Sequence, residues 1–215
     1  MMYSKFILSP VVSFPVNIAA LLLLVYTADT FILNADFYEK AVKDSGLNWN
    51  TVLLSTSPKF KLVLYTASAL LLFLKYSLIS LLIYTTFYLN EIKASYSSIF
   101  KIVCLAEMIF LVPAAIKVAW FFVYPPTGLD QWTGFYPLSI HSIVSGVSIP
   151  AAAMYPLQLL NLFELVYILS LAYFLQKLVK RNYDHTLRFV MISYLPGLIV
   201  WILLTSYYTL MIQPG

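Results

Sequence analysis

Between Leu62 and Leu89 the chain carries one charged side chain, Lys75, in an otherwise apolar stretch. Its centre, Leu70-Leu-Leu-Phe-Leu74, lacks the apolar/polar alternation of a barrel strand. About 20 helical residues cross a bilayer core, and a helix satisfies its own backbone polar groups without help from water. This stretch therefore reads as a membrane-spanning helix. Four more segments read the same way, approximately Val16–Leu33, Ser98–Tyr124, Pro156–Gln176 and Phe189–Ile212.

Composition closes off the alternatives. Only 10% of the 215 residues are charged and 61% are apolar, against about 25% charged in an ordinary soluble domain. Such a chain cannot cover its apolar mass with a solvated surface, which excludes a soluble globular domain and a disordered chain. The expected fold is all-α: a polytopic bundle of five transmembrane helices forming a single membrane domain over residues 1–215. The net charge of +4 is read as loop lysines and arginines that set orientation, because no basic cluster is interleaved with exposed aromatics as a nucleic-acid surface would require. Cys104 lies alone in an apolar run and is expected to act as a small packing residue. Lys5 ahead of an apolar stretch resembles a signal peptide. The bulky Tyr26 in Tyr26-Thr27-Ala28 suits cleavage poorly, so the segment is expected to be retained as the first span.

Prolines punctuate this layout. Pro15 is expected to precede helix one, Ser57-Pro58 helix two, Pro125-Pro126 to close helix three and Pro156 to open helix four. Pro113 and Pro196-Gly197 fall inside spans and are expected to kink helices three and five. In the first connection, Asp36 and Glu39 have capping-box spacing and Gly46 can end a short helix, placing Phe37, Leu47 and Trp49 at the membrane surface. The stretch 136–155, with Pro137 and Pro150, suits an interfacial or re-entrant segment better than a sixth crossing. Lys5, Lys93, Lys101, Lys177, Lys180, Arg181 and Arg188 fall on one side; Lys40, Lys43, Lys59 and Lys61, with Lys117 near its helix end, fall on the other. The expectation is a protein of the cytoplasmic membrane with its N-terminus inside and its C-terminus outside.

The informative residues are charges placed where lipid opposes them. Asp29, Lys75, Glu107, Lys117 and Glu164 all lie within apolar spans, and a charge near the bilayer centre costs at least about 2.5–3.5 kcal/mol. Lys75 is about 20 Å from either end of its helix, too far for its stem to snorkel, so it needs a carboxylate: Glu107 or Glu164. Asp29 and Lys117 are expected to form a second ion pair near the outer end. Gln158, Asn161 and Glu164 recur every three residues as one stripe on helix four. Ser68, Lys75 and Thr86 share a face of helix two, and Lys101, Cys104 and Glu107 a row on helix three. Helices two, three and four are expected to meet along these faces. The cluster is read either as interhelical glue or as a polar pathway or binding pocket for an ion, a proton or a lipid headgroup.

Other chemistry finds little support. His141 and His185 have no His- or Cys-rich companions, so no metal site and no cofactor are expected. Gly146-Val-Ser148 is the setting of an intramembrane serine nucleophile, but the later spans contain no histidine to serve as its base. No GxGxxG or P-loop is present.

The stretch from Leu157 to Tyr208 resembles the membrane domain of the Yip (Ypt/Rab-interacting protein) family. The residues carrying the resemblance are Leu160-Asn-Leu-Phe-Glu-Leu-Val-Tyr167, the basic turn Lys177–Arg188 and an apolar last helix containing Trp201. The resemblance implies five crossings and a cytoplasmic N-terminus, as in the short bacterial members. It also implies a non-enzymatic scaffold or accessory role in membrane organisation or transport. The expected partners are membrane lipids and other membrane proteins or further copies of the chain, with no nucleic acid. The competing expectation is a small transporter or channel subunit using Lys75, Glu107 and Glu164 as a polar relay; a hydrolase using Ser148 ranks last.

Overall fold

The computed structural model describes residues 10–34, 36–40, 57–143 and 151–212. Among these residues there is no strand beyond one isolated bridge, Ser139 to Asn161. Five helical segments are long and apolar enough to cross a membrane, as the sequence led us to expect. The chain is an all-α membrane protein.

Helix α1 runs from Pro10 to Phe31 and α2 from Pro58 to Leu89. The third span is α3, Tyr96–Glu107, a 3-10 turn, Met108–Phe110, and α4, Leu111–Val123. Short helices α5, Leu129–Gly134, and α6, Ile140–Ile143, follow. Helix α7, Ala151–Leu159, leads into α8, Leu162–Val179, which is long and apolar enough to be the fourth span, and the fifth is α9, Tyr183–Ile212. The end of the bundle holding the short turns 90–95 and 180–182 is called proximal below, and the opposite end distal.

Local chemistry explains most boundaries. Ser57 caps α2, its hydroxyl accepting from the Phe60 amide at 3.3 Å with Pro58 in the first turn, so α2 begins a turn earlier than its apolar run suggests. Lys180 closes α8 in the left-handed conformation, and Glu91 follows α2 in the same region. Pro113 has no N–H for the Ile109 carbonyl, and the third span tightens into its 3-10 turn at that level. Pro196 lies inside α9, which stays helical through it.

Several expectations need correction. Pro15 does not precede the first helix but lies in its second turn, where the loss of one bond to the Val11 carbonyl is tolerated. The cap before residues 36–40 is Asn34, whose side-chain oxygen accepts from the Phe37 amide at 2.9 Å, rather than Asp36. Gly46, Leu47, Trp49 and Ser148 lie outside the described residues. Pro156 does not open helix four. It sits within α7, and the break falls at Leu160-Asn161, where a polar residue takes the cap. The fifth helix begins at Tyr183 rather than at Phe189, so Asp184 and His185 are in its first turn.

Spans two to five form a closed ring. The second packs on the third and fifth, the fourth also packs on the third and fifth, and α1 lies outside against α3 and α4. Its core occupies the proximal half: Ile79, Ile83 and Phe87 of α2, Ile99 and Val103 of α3, Leu171 and Leu175 of α8, and Val190 of α9. Small side chains at Ser80, Cys104, Ala106 and Ala172 are fully buried there and bring the backbones close, which suits helices that associate by packing rather than by hydrophobic force. Gly197 does the same between α9 and α2, since a methyl group there would stand 2.7 Å from Leu82 Cδ1. A second, small cluster joins Ala28 and Ile32 to Phe121, Trp132 and Phe135 at the distal end.

Candidate functional site: a polar layer at mid-depth

A layer of polar side chains sits on top of the proximal core. Counted at 1.5 Å per residue, Glu107 and Tyr194 lie about 17 Å from the proximal ends of their helices, and Lys75 and Glu164 about 21–23 Å. The layer therefore falls near the middle of a hydrocarbon core about 30 Å thick.

Of the two carboxylates open to Lys75, the structure selects Glu107. Lys75 Nζ donates to Glu107 Oε2 at 2.8 Å, and the ammonium also stands 4.8 Å from the centroid of the Phe110 ring. The burial is asymmetric: the Glu107 side chain is 2% exposed and that of Lys75 44%. The face shared by Ser68, Lys75 and Thr86 is accordingly beside, not within, the buried stripe of α2, which runs Tyr76, Ile79, Ser80, Ile83, Phe87. Lys101 is half-buried one turn before Cys104, which is buried together with Glu107.

Glu164 has a different partner. Its Oε1 accepts from the Tyr194 hydroxyl at 2.6 Å, tying α8 to α9. The other phenols of the layer carry no charge, so the cost of a charge in lipid does not mark them in the sequence. Tyr167 is fully buried between Phe110 and Tyr194, and Tyr76 accepts from Asn17 Nδ2 at 3.0 Å. Asn17 also donates to the Cys104 carbonyl at 3.3 Å, so α1 joins the layer through an amide. Among the described residues two buried atoms have no hydrogen-bond partner, Glu107 Oε1 and the Tyr167 hydroxyl, although the two side chains are near neighbours.

Gln158, Asn161 and Glu164 do not form one helical stripe, because the fourth span breaks between them. Asn161 is the cap of α8: its side-chain oxygen accepts from the Glu164 amide at 2.8 Å, and its Nδ2 donates to the Gln158 and Leu159 carbonyls at 3.0 and 3.1 Å. The side chain thus closes both halves of the broken helix. The chain at 138–140 is threaded into the gap. The Ile140 amide donates to the Leu160 carbonyl at 3.0 Å, and the Leu162 amide to the Leu138 carbonyl at 3.2 Å. Leu138 sits there at φ 57°, an uncommon conformation for a bulky residue. Backbone freed from helix at this depth is tolerated because protein supplies the partners. The distal half-helix α7 rests on α6 and α9, with Trp201 Nε1 donating to the Tyr155 hydroxyl at 2.8 Å.

Asp29 and Lys117 do not pair with each other. Asp29 Oδ2 accepts from the Tyr65 hydroxyl at 2.7 Å and faces Lys61 at 3.6 Å. Lys117 instead lies over the rings of Trp132 and Tyr136, at 4.7 and 5.3 Å from their centroids. The expectation matched depth alone. The aromatic rings folded over the end of α4 offer the ammonium a face that depth could not reveal. Tyr38, just beyond α1, is half-buried, and burial together with the Asp29 charge pushes its phenol above the usual range.

Among the described residues no group of three histidine, cysteine or carboxylate side chains is placed to hold a metal. No family model, curated protein or solved structure matches this chain.

Proposed function

We propose that this chain is a non-enzymatic scaffold or accessory protein of the cytoplasmic membrane, similar to the short Yip-domain proteins, with its proximal end in the cytoplasm. The observation carrying this reading is that the mid-depth charges are spent on neighbouring helices. Lys75 and Glu107 join spans two and three, and Glu164 and Tyr194 join spans four and five. Such contacts fix register at a small gain per contact. Lys93, Lys101, Lys177, Lys180, Arg181 and Arg188 all lie toward the proximal end, which supports the orientation. Leu160–Tyr167, on which the family resemblance rests, contains the cap and the first turns of α8.

A second reading is a transporter or channel subunit that uses the layer as a polar relay. It is favoured by the break between α7 and α8 and by the buried Glu107 Oε1 and Tyr167 hydroxyl, which have no hydrogen-bond partner among the described residues, since broken helices are a common way to build binding sites in transporters. Two measurements separate the readings. Purification from native membranes should yield a partner at fixed stoichiometry if the chain is a scaffold. Liposomes containing this chain alone should then show no ion or proton flux above protein-free vesicles, whereas flux abolished by Tyr194→Phe in a folded variant would favour the relay.

A further inference from the structure

We propose that the cavity between the distal ends of α1 and α2 is a binding site for a phospholipid whose headgroup combines a phosphate with a primary ammonium. The cavity has a volume of about 280 Å³ and is lined by Asp29, Lys61, Tyr65, Tyr26, Leu62 and Pro58, among others. Asp29 is in the last turn of α1 and Lys61 in the first turn of α2, which puts both charges at the level of headgroups rather than acyl chains. Tyr26 and Leu62 are 59% and 67% exposed, so the cavity opens on the flank of the bundle where lipid runs. This assignment is independent of the scaffold reading.

The two charges are poised rather than consumed. At 3.6 Å they stand beyond hydrogen-bond reach, whereas Lys75 and Glu107 close to 2.8 Å. Tyr65 and Lys61 both address Asp29 Oδ2, and no described residue bonds Oδ1. The Tyr65 hydroxyl therefore holds the carboxylate in place while leaving one of its oxygens to accept. The Lys61 ammonium keeps its N–H donors for an anion, with no hydrogen bond to a described side chain.

A ligand that satisfies both must carry a phosphate for Lys61 and N–H donors for Asp29 within one short headgroup. A phosphoethanolamine headgroup meets both demands. A phosphocholine headgroup has the charge but no N–H, and a phosphoglycerol headgroup brings no cation to Asp29. The apolar edges of Tyr26, Leu62 and Pro58 remain for the glycerol and the upper acyl carbons.

The test uses the full chain in detergent, equilibrated with vesicles of equal parts phosphatidylethanolamine, its N-methyl and N,N-dimethyl forms, and phosphatidylcholine. Retained lipid is then read by native mass spectrometry. The expected order follows the number of N–H donors, with the primary amine about tenfold above phosphatidylcholine, the factor one charge-assisted hydrogen bond can supply. Asp29→Asn should flatten the order while leaving total phospholipid bound, and Lys61→Met should lower all four together. Equal retention of the four lipids by the wild-type chain would overturn the assignment, with no variant needed. So would an unchanged order in Asp29→Asn. Displacement of the lipid by soluble phosphoethanolamine at millimolar concentration would also overturn it, by showing a site for a free solute.

Discussion

The mid-depth Lys75–Glu107 pair makes a prediction with a sign as well as a size. Replacing Lys75 by Met removes the ammonium that donates to Glu107 and leaves a carboxylate 2% exposed without that counter-ion. Breaking a buried pair from one side costs about 3–5 kcal/mol. Replacing Glu107 by Gln leaves a different orphan. Lys75 stays charged at mid-depth, with 44% of its side chain open to acyl chains and the Phe110 ring beside it at 4.8 Å, so the loss should be at least about 2.5–3.5 kcal/mol. Removing both charges together, as Lys75→Met with Glu107→Leu, leaves neither penalty and should restore stability to within about 1 kcal/mol of the wild type. Equilibrium unfolding in mixed bicelles, followed by the fluorescence of the four tryptophans, measures all three. The reasoning fails if either single replacement is neutral, or if the double replacement loses the sum of the two single losses.

Two further outcomes follow from the helix junctions. Asn161→Ala removes a cap and two carbonyl contacts from the break in the fourth span and should cost about 2 kcal/mol, at the upper end for a cap. Hydrogen exchange should quicken at the amides of Leu162–Leu165, and unchanged protection there would refute the capping role. At the crossing of α9 over α2, Gly197→Ala meets only the mobile tip of Leu82 and should cost less than about 1 kcal/mol, while Gly197→Leu should cost about 1–3 kcal/mol by forcing the helices apart. Thermal denaturation in detergent distinguishes the two, and equal losses would mean that close approach is not what the glycine provides.

What could be read beforehand divides along a physical line. The five spans were visible because apolar length is a local property, and the need of Lys75 for an acid followed from the cost of a charge in hydrocarbon. The choice of Glu107 over Glu164, and the failure of Asp29 to meet Lys117, depended on which faces the helices turn toward one another, and depth along a helix carries no such information. Phenols and amides were missed for a related reason. Tyr194, Tyr167, Tyr76 and Asn17 complete the layer, yet Tyr is common in membrane helices for its ring alone, and nothing local separates a hydroxyl that will be buried from one that will not. The break in the fourth span had one local sign, a proline and an asparagine five residues apart. The three-residue periodicity of Gln158, Asn161 and Glu164 gave the opposite signal, because it fits a continuous helix as well as a cap and its flanks.

The break between α7 and α8 also bears on the order in which the protein is built. The crossing segment is α8, Leu162–Val179, and α7 is a separate helical piece before it. The main support of α7 is α9, through Trp201 and Tyr155, and α9 is synthesised afterwards. The position of α7 seen here is therefore complete only once α9 is in place.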